Sequence, residues 1–65
     1  MNDIARLITP REKEVLHLLA RGMTYREMSL QLGVTPETVK KHLKNIYRKL
    51  EVSNKIAALN KLRIL

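Results

Sequence analysis

The chain has 65 residues, no cysteine, no phenylalanine or tryptophan, and a formal charge of +7. That describes one small domain burying about 60% of its unfolded surface around aliphatic side chains, and it excludes a disulfide framework and any cysteine-ligated zinc site. A pI near 10.3 points to a polyanionic partner.

The two histidines, His17 and His42, are far apart in sequence, so no metal or other cofactor is expected. No apolar run approaches the ~20 residues of a membrane span, and the first residues lack a secretion-signal pattern. A soluble, cytoplasmic protein with no membrane contact and no small-molecule ligand in this domain is expected. Paired carboxylates in a cleft, a nucleophile–base constellation and a phosphate-cradling glycine loop are all missing from the pattern, which argues against an enzyme.

In chain order, residues 1–8 show no period and read as an arm or linker stub, leaving 9–65 as the folded domain. Thr9–Gly22 is a helix by its boundaries. Thr9 is the cap, Pro10 the first helical residue, Glu12 completes a capping box, and Gly22 supplies the left-handed stop. Val15, Leu16 and Leu19 form its inward stripe, Leu18 and Ala20 flank it, and His17 leans away. Thr24–Leu32 is a second, short helix that repeats the cap-plus-three spacing with Glu27 and turns Met28 and Leu32 inward, with Ser29 small beside them.

Gly33 breaks that helix and Thr35-Pro36 starts the next. Two helices joined by a short glycine-containing turn pack steeply as a helix-turn-helix. Ser29 permits the close crossing, Gly33 tolerates positive φ, and Val34 and Val39 plug the wedge. In the second of these helices, 36–50, Val39, Leu43, Ile46 and Leu50 make one apolar stripe. The other side carries Lys40, Lys41, Lys44 and Arg48, with Lys49 near the border. Basic amphipathic helices also lie on membranes or in calmodulin-like grooves. The turn before this one favours nucleic acid, and about four helical turns are long enough to lie along a major groove.

After Leu50 comes a short connection in which Ser53 is placed to cap. Lys55–Leu65 reads as a last helix with Ile56, Leu59 and Leu62 inward. Ala57, Ala58 and Leu65 lie off that stripe, and apolar residues on more than one side suggest pairing with a second copy.

Thr9-Pro10-Arg11-Glu12 with Val15-Leu16, Leu19-Ala20, Gly22, Glu27, Leu32-Gly33-Val34, Thr38-Val39-Lys40, His42, Asn45-Ile46-Tyr47, Lys49-Leu50, Val52 and Asn54 follow one another in an order that resembles the LuxR-type, or GerE-like, helix-turn-helix domain of bacterial transcription regulators. The resemblance runs from about Leu7 to Ala58. It implies an all-α, four-helix domain whose third helix enters the major groove of double-stranded DNA and whose fourth often dimerises. By resemblance, Lys40, Lys41 and Lys44 reach base edges, where lysine meets guanine O6 and N7. Thr24, Thr38, Lys49, Arg48 and Arg26 would contact phosphates, and Ala57, Ala58 and Leu65 would serve dimerisation. Glu12 is often an internal tether in this family, and Lys55 stands where arginine is usual, so a Glu12–Lys55 pair is expected.

The sequence departs from the pattern at Met28-Ser29, where Ile-Ala is commoner, at Glu51, where glycine is frequent, and in the last helix. His42, at the rim of the buried stripe, reads as a structural histidine. The reading that follows is a sequence-specific transcription regulator, a homodimer on DNA, with RNA polymerase as a further candidate partner. A sigma-factor-like promoter-binding domain and a basic helical module for an acidic protein partner are the competing functions.

Overall fold

The computed structural model describes residues 4–64. A single helical turn, Ile4–Leu7, precedes four helices: α1 (Pro10–Ala20), α2 (Tyr25–Leu32), α3 (Pro36–Leu50) and α4 (Lys55–Ile64). No described helix is long and apolar enough to cross a membrane.

Each helix starts on a side-chain cap. Thr9 and Thr24 build full capping boxes with Glu12 and Glu27, which satisfies orphan N–H groups at both starts. Thr35 caps α3 by accepting from the Thr38 N–H at 3.2 Å. The fourth cap corrects the sequence reading: Asn54, not Ser53, accepts the Ala57 N–H through Oδ1 at 2.9 Å.

Three helices also end alike. Gly22, Gly33 and Glu51 adopt left-handed backbone, with φ of 81°, 72° and 58°. The next residue then donates its N–H five residues back: Met23 to Leu18, Val34 to Ser29, and Val52 to Tyr47. In all three the residue after the stop is apolar and packs on the core.

The core holds Ile8, Val15, Leu16, Leu18, Leu19, Met28, Val39, Leu43, Ile46, Leu50 and Ala58. At about 1.5–3 kcal/mol for each large aliphatic side chain removed from water, α1 and α3 contribute about equally, with four such side chains each. α3 touches every other helical element, so the domain is assembled around it.

Two expectations are corrected. Within the stretch 1–8 read as an arm or linker stub, Ile4–Leu7 forms a helical turn against α3, and Ile8 is buried in the core. In α4 the inward residue is Ala58, fully buried where the helix packs on α3 and α1, while Ile56 is 72% exposed and Leu59 half-buried. With apolar residues on several sides, α4 offers no single stripe to set its phase, and the small side chain allows the closest approach. Ala58 is therefore a core residue, not a dimerisation residue. Leu65 and the side chain of Leu62 lie outside the described residues.

Candidate nucleic-acid interface

The candidate interface is the outer face of α3. At about 100° per residue, Lys40, Lys41, Lys44 and Arg48 fall within one arc of roughly 100° opposite the buried stripe. All four are exposed, whereas Val39, Leu43, Ile46 and Leu50 are at most 2% accessible. The apolar stripe thus fixes the direction in which the cations point. Arg48 donates to Asn45 Oδ1 at 3.0 Å, which steadies its guanidinium along the helix surface.

Sequence reasoning passed over Glu37 on this face. It lies in the first turn of α3, exposed, within the arc of the lysines, and in neither described ion pair. Its negative sign hid it, because a DNA-facing helix is recognised in sequence by its cations. A carboxylate at the start of such a helix suits the helix dipole and can accept from a cytosine amino group.

Thr24 and Arg26, at the start of α2, are both exposed. The Thr24 hydroxyl oxygen accepts the Glu27 N–H at 3.1 Å, and its own O–H remains free to donate outward. Thr38 is half-buried, its hydroxyl 3.0 Å from that of Thr35. Tyr47, half-buried on α3, has its phenol pKa raised above the ordinary value by burial and then by neighbouring Tyr25, so it stays neutral.

Lys49 stands apart from the other cations. Its register points it toward α1, where Nζ donates to both Glu12 oxygens, at 2.7 and 3.0 Å. The expected partner Lys55 is instead exposed, and the tether to Glu12 is made by a residue read as a phosphate contact. Burial is the largest influence on Glu12 and raises its pKa. It is outweighed by the Lys49 and Thr9 hydrogen bonds together with the Lys49 charge, and the net shift is downward.

On α4, Ala57 is half-buried, and an open groove of about 330 Å³ runs past Ala20, Ile56, Leu59, Asn60 and Arg63.

A short helix, a left-handed turn and a longer helix with one buried and one cationic face define a helix-turn-helix of the nucleic-acid-binding class. The sequence model described as "Bacterial regulatory proteins, luxR family" matches residues 6–62. The chain belongs to that family and is a DNA-binding helix-turn-helix domain of its transcription regulators. It is 49% identical over 55 residues to the transcriptional activator protein CarR of Pectobacterium carotovorum subsp. carotovorum, covering 85% of this chain and 22% of that one. It is 40% identical over 52 residues to the nitrate/nitrite response regulator protein NarP of Escherichia coli (strain K12), covering 80% and 24%. With the transcriptional regulatory protein UhpA of the same strain it shares 43% over 49 residues, covering 75% and 25%. The chain therefore spans about a fifth to a quarter of the length of these curated relatives. No solved structure matches it.

Proposed function

We propose that this domain reads a specific duplex DNA sequence by laying α3 in the major groove, as part of a regulator that binds two half-sites as a dimer. The observation that carries this is the division of α3 into a fully buried face and an exposed face bearing Lys40, Lys41, Lys44 and Arg48. Lys40, Lys41 and Lys44 meet base edges, chiefly guanine acceptors, and Glu37 accepts from cytosine in the same groove. Arg48, Arg26, Thr24 and Thr38 hold the phosphates and set the register. Lys49, engaged by Glu12, serves the fold first.

A dimer on half-sites one helical turn apart needs a separation of about 34 Å. Exposed Ile56 and the groove beside it support pairing through α4, the helix that also carries half-buried Ala57. In a cytoplasmic regulator of this kind the domain acts by binding and not by catalysis.

The test is a selection of bound duplexes from a random pool, repeated at two salt concentrations. A shared motif should emerge, and the logarithm of affinity should fall by about 0.9 per phosphate for each unit of log salt, giving a slope of about −3 to −5. A pool that stays random, or binding insensitive to salt, would sink the proposal.

A further inference from the structure

We propose that the adjacent residues Arg11 and Glu12 are a clamp that sets the position and tilt of α3 against α1, and that they thereby control sequence discrimination rather than attraction to DNA. This rests on the DNA-reading function proposed above.

The two side chains leave the first turn of α1 toward different elements. The Arg11 guanidinium donates to the Leu32 carbonyl at 2.8 Å. Leu32 is the last residue of α2, and its carbonyl is one of the acceptors that a helix end leaves without an internal partner. That contact grips the helix-turn-helix beside the turn where α3 begins. Glu14 braces the same guanidinium at 3.5 Å.

Glu12 grips the last turn of α3 itself. One carboxylate oxygen receives both the Thr9 N–H at 2.9 Å and the Lys49 ammonium at 2.7 Å, and the second oxygen takes Lys49 at 3.0 Å. The carboxylate that caps α1 thus also holds the last turn of α3. Glu12 is only 8% exposed at its side chain, against 32% for Lys49, so little water competes for it.

Two grips, one on the end of α2 that leads into α3 and one on the last turn of α3 itself, constrain the recognition helix in a way that apolar packing does not. Burial of Met28, Val39 and Leu43 in one core cluster keeps the helices together, but burial is non-directional and tolerates small rotations. Charge-assisted hydrogen bonds have preferred lengths and angles. Groups that read base edges must be held to about 0.5 Å, which makes rotation of α3 the variable that matters. Neither Arg11 nor Glu12 lies on the cationic face, so both are positioning residues.

The experiment compares the parent with Arg11→Met, Arg11→Lys and Glu12→Gln. The parent first selects its preferred duplex. Each protein is then titrated with that duplex and a scrambled one over a range of salt, at a temperature where melting curves show it folded. In Arg11→Met and Glu12→Gln the ratio of specific to scrambled affinity should fall about fivefold or more, with the salt slope unchanged. Arg11→Lys keeps the charge and should fall between. Glu12→Gln keeps the shape and the capping acceptor, so it carries the test if Arg11→Met does not fold. A purely stabilising role would lower the melting temperature and leave the ratio alone, so folded variants within twofold of the parent overturn the clamp. A salt slope about 0.9 shallower in Arg11→Met also overturns it, since Arg11 would then be a phosphate contact. If the parent itself selects no duplex, the DNA-reading function fails, and the clamp with it.

Discussion

Replacing Glu51 by glycine should stabilise the domain. Glu51 has φ 58° and ψ 45°, and it is the one described non-glycine residue in left-handed backbone. A Cβ there costs about 1 kcal/mol, and glycine's extra freedom in the unfolded chain returns part of that, leaving a net gain of about 0.5–1 kcal/mol. Nothing opposes the gain. The side chain is exposed and in neither described ion pair, and the bonds that close the helix, Glu51 N–H to Arg48 and Val52 N–H to Tyr47, are backbone bonds that glycine keeps. In a domain this small the melting temperature should rise by about 3–6 °C, read by circular dichroism. Removing a negative charge from a helix C-terminus also helps slightly, so Glu51→Ala is the control, sharing the charge change but keeping Cβ. Gly33→Ala is the mirror experiment: a Cβ at Gly33 meets no atom within 4 Å, so its cost of about 1 kcal/mol comes from the φ of 72° alone. Equal melting temperatures for Glu51→Gly and Glu51→Ala would refute the reasoning.

The Glu12 carboxyl is held below its ordinary value, so its contribution is complete above the unfolded-state pKa of about 4.3 and is lost as pH falls through the depressed folded value. Melting followed between pH 6 and 2.5 should show a steep acid loss in the parent that Glu12→Gln flattens; parallel curves would contradict this. Lys44→Ala should cost about 1–3 kcal/mol on the selected duplex and relax preference at one position. Arg48→Ala should weaken all duplexes alike and make the salt slope shallower by about 0.9, so identical behaviour of the two variants in titrations would undo their assignment. Ile56→Asp should shift sedimentation toward monomer and, at concentrations dilute enough for the parent to be monomeric as well, leave the melting temperature unchanged, because Ile56 is 72% exposed in the single chain; an unaltered dimer would place pairing elsewhere.

What could be read from sequence was whatever obeys a local rule. Thr9, Thr24 and Thr35 announce helix starts because a cap acts on N–H groups two or three residues away. The α3 stripe announces its own burial because period and chemistry agree over four turns. The misreadings share a cause, which is contact between residues distant in the chain. Ile8 counted as arm because its core neighbours come from elsewhere. Lys55 counted as the partner of Glu12 in place of Lys49 because the two that pair lie 37 positions apart, and charge alone does not say which counter-charge is nearest. Arg11 stood out only as part of the family pattern and its contact could not be read, since its partner is a backbone carbonyl, a group every residue carries. In α4, alanine and isoleucine exchanged roles because hydrophobicity ranks them in one order and close helix packing in the other.

The division of α3 also has an energetic side. Lys40 with Lys44, and Lys44 with Arg48, are like charges four residues apart, and each such pair destabilises a helix by about 0.2–0.5 kcal/mol. Alone in water a helix with this outer face would be disfavoured. It persists because the inner face buries Val39, Leu43, Ile46 and Leu50, a term several times larger. The ends of the helix are arranged to limit the strain: Glu37 lies in the first turn, Arg48 and Lys49 in the last, in the sense that the helix dipole favours. Glu12 neutralises Lys49, which stops the positive belt from continuing around to the side that packs on α1. The remaining repulsion is confined to the face turned away from the protein, where the phosphates of the proposed DNA complex would relieve it. The core therefore pre-pays, in hydrophobic burial, for a surface that is electrostatically incomplete until a polyanion covers it.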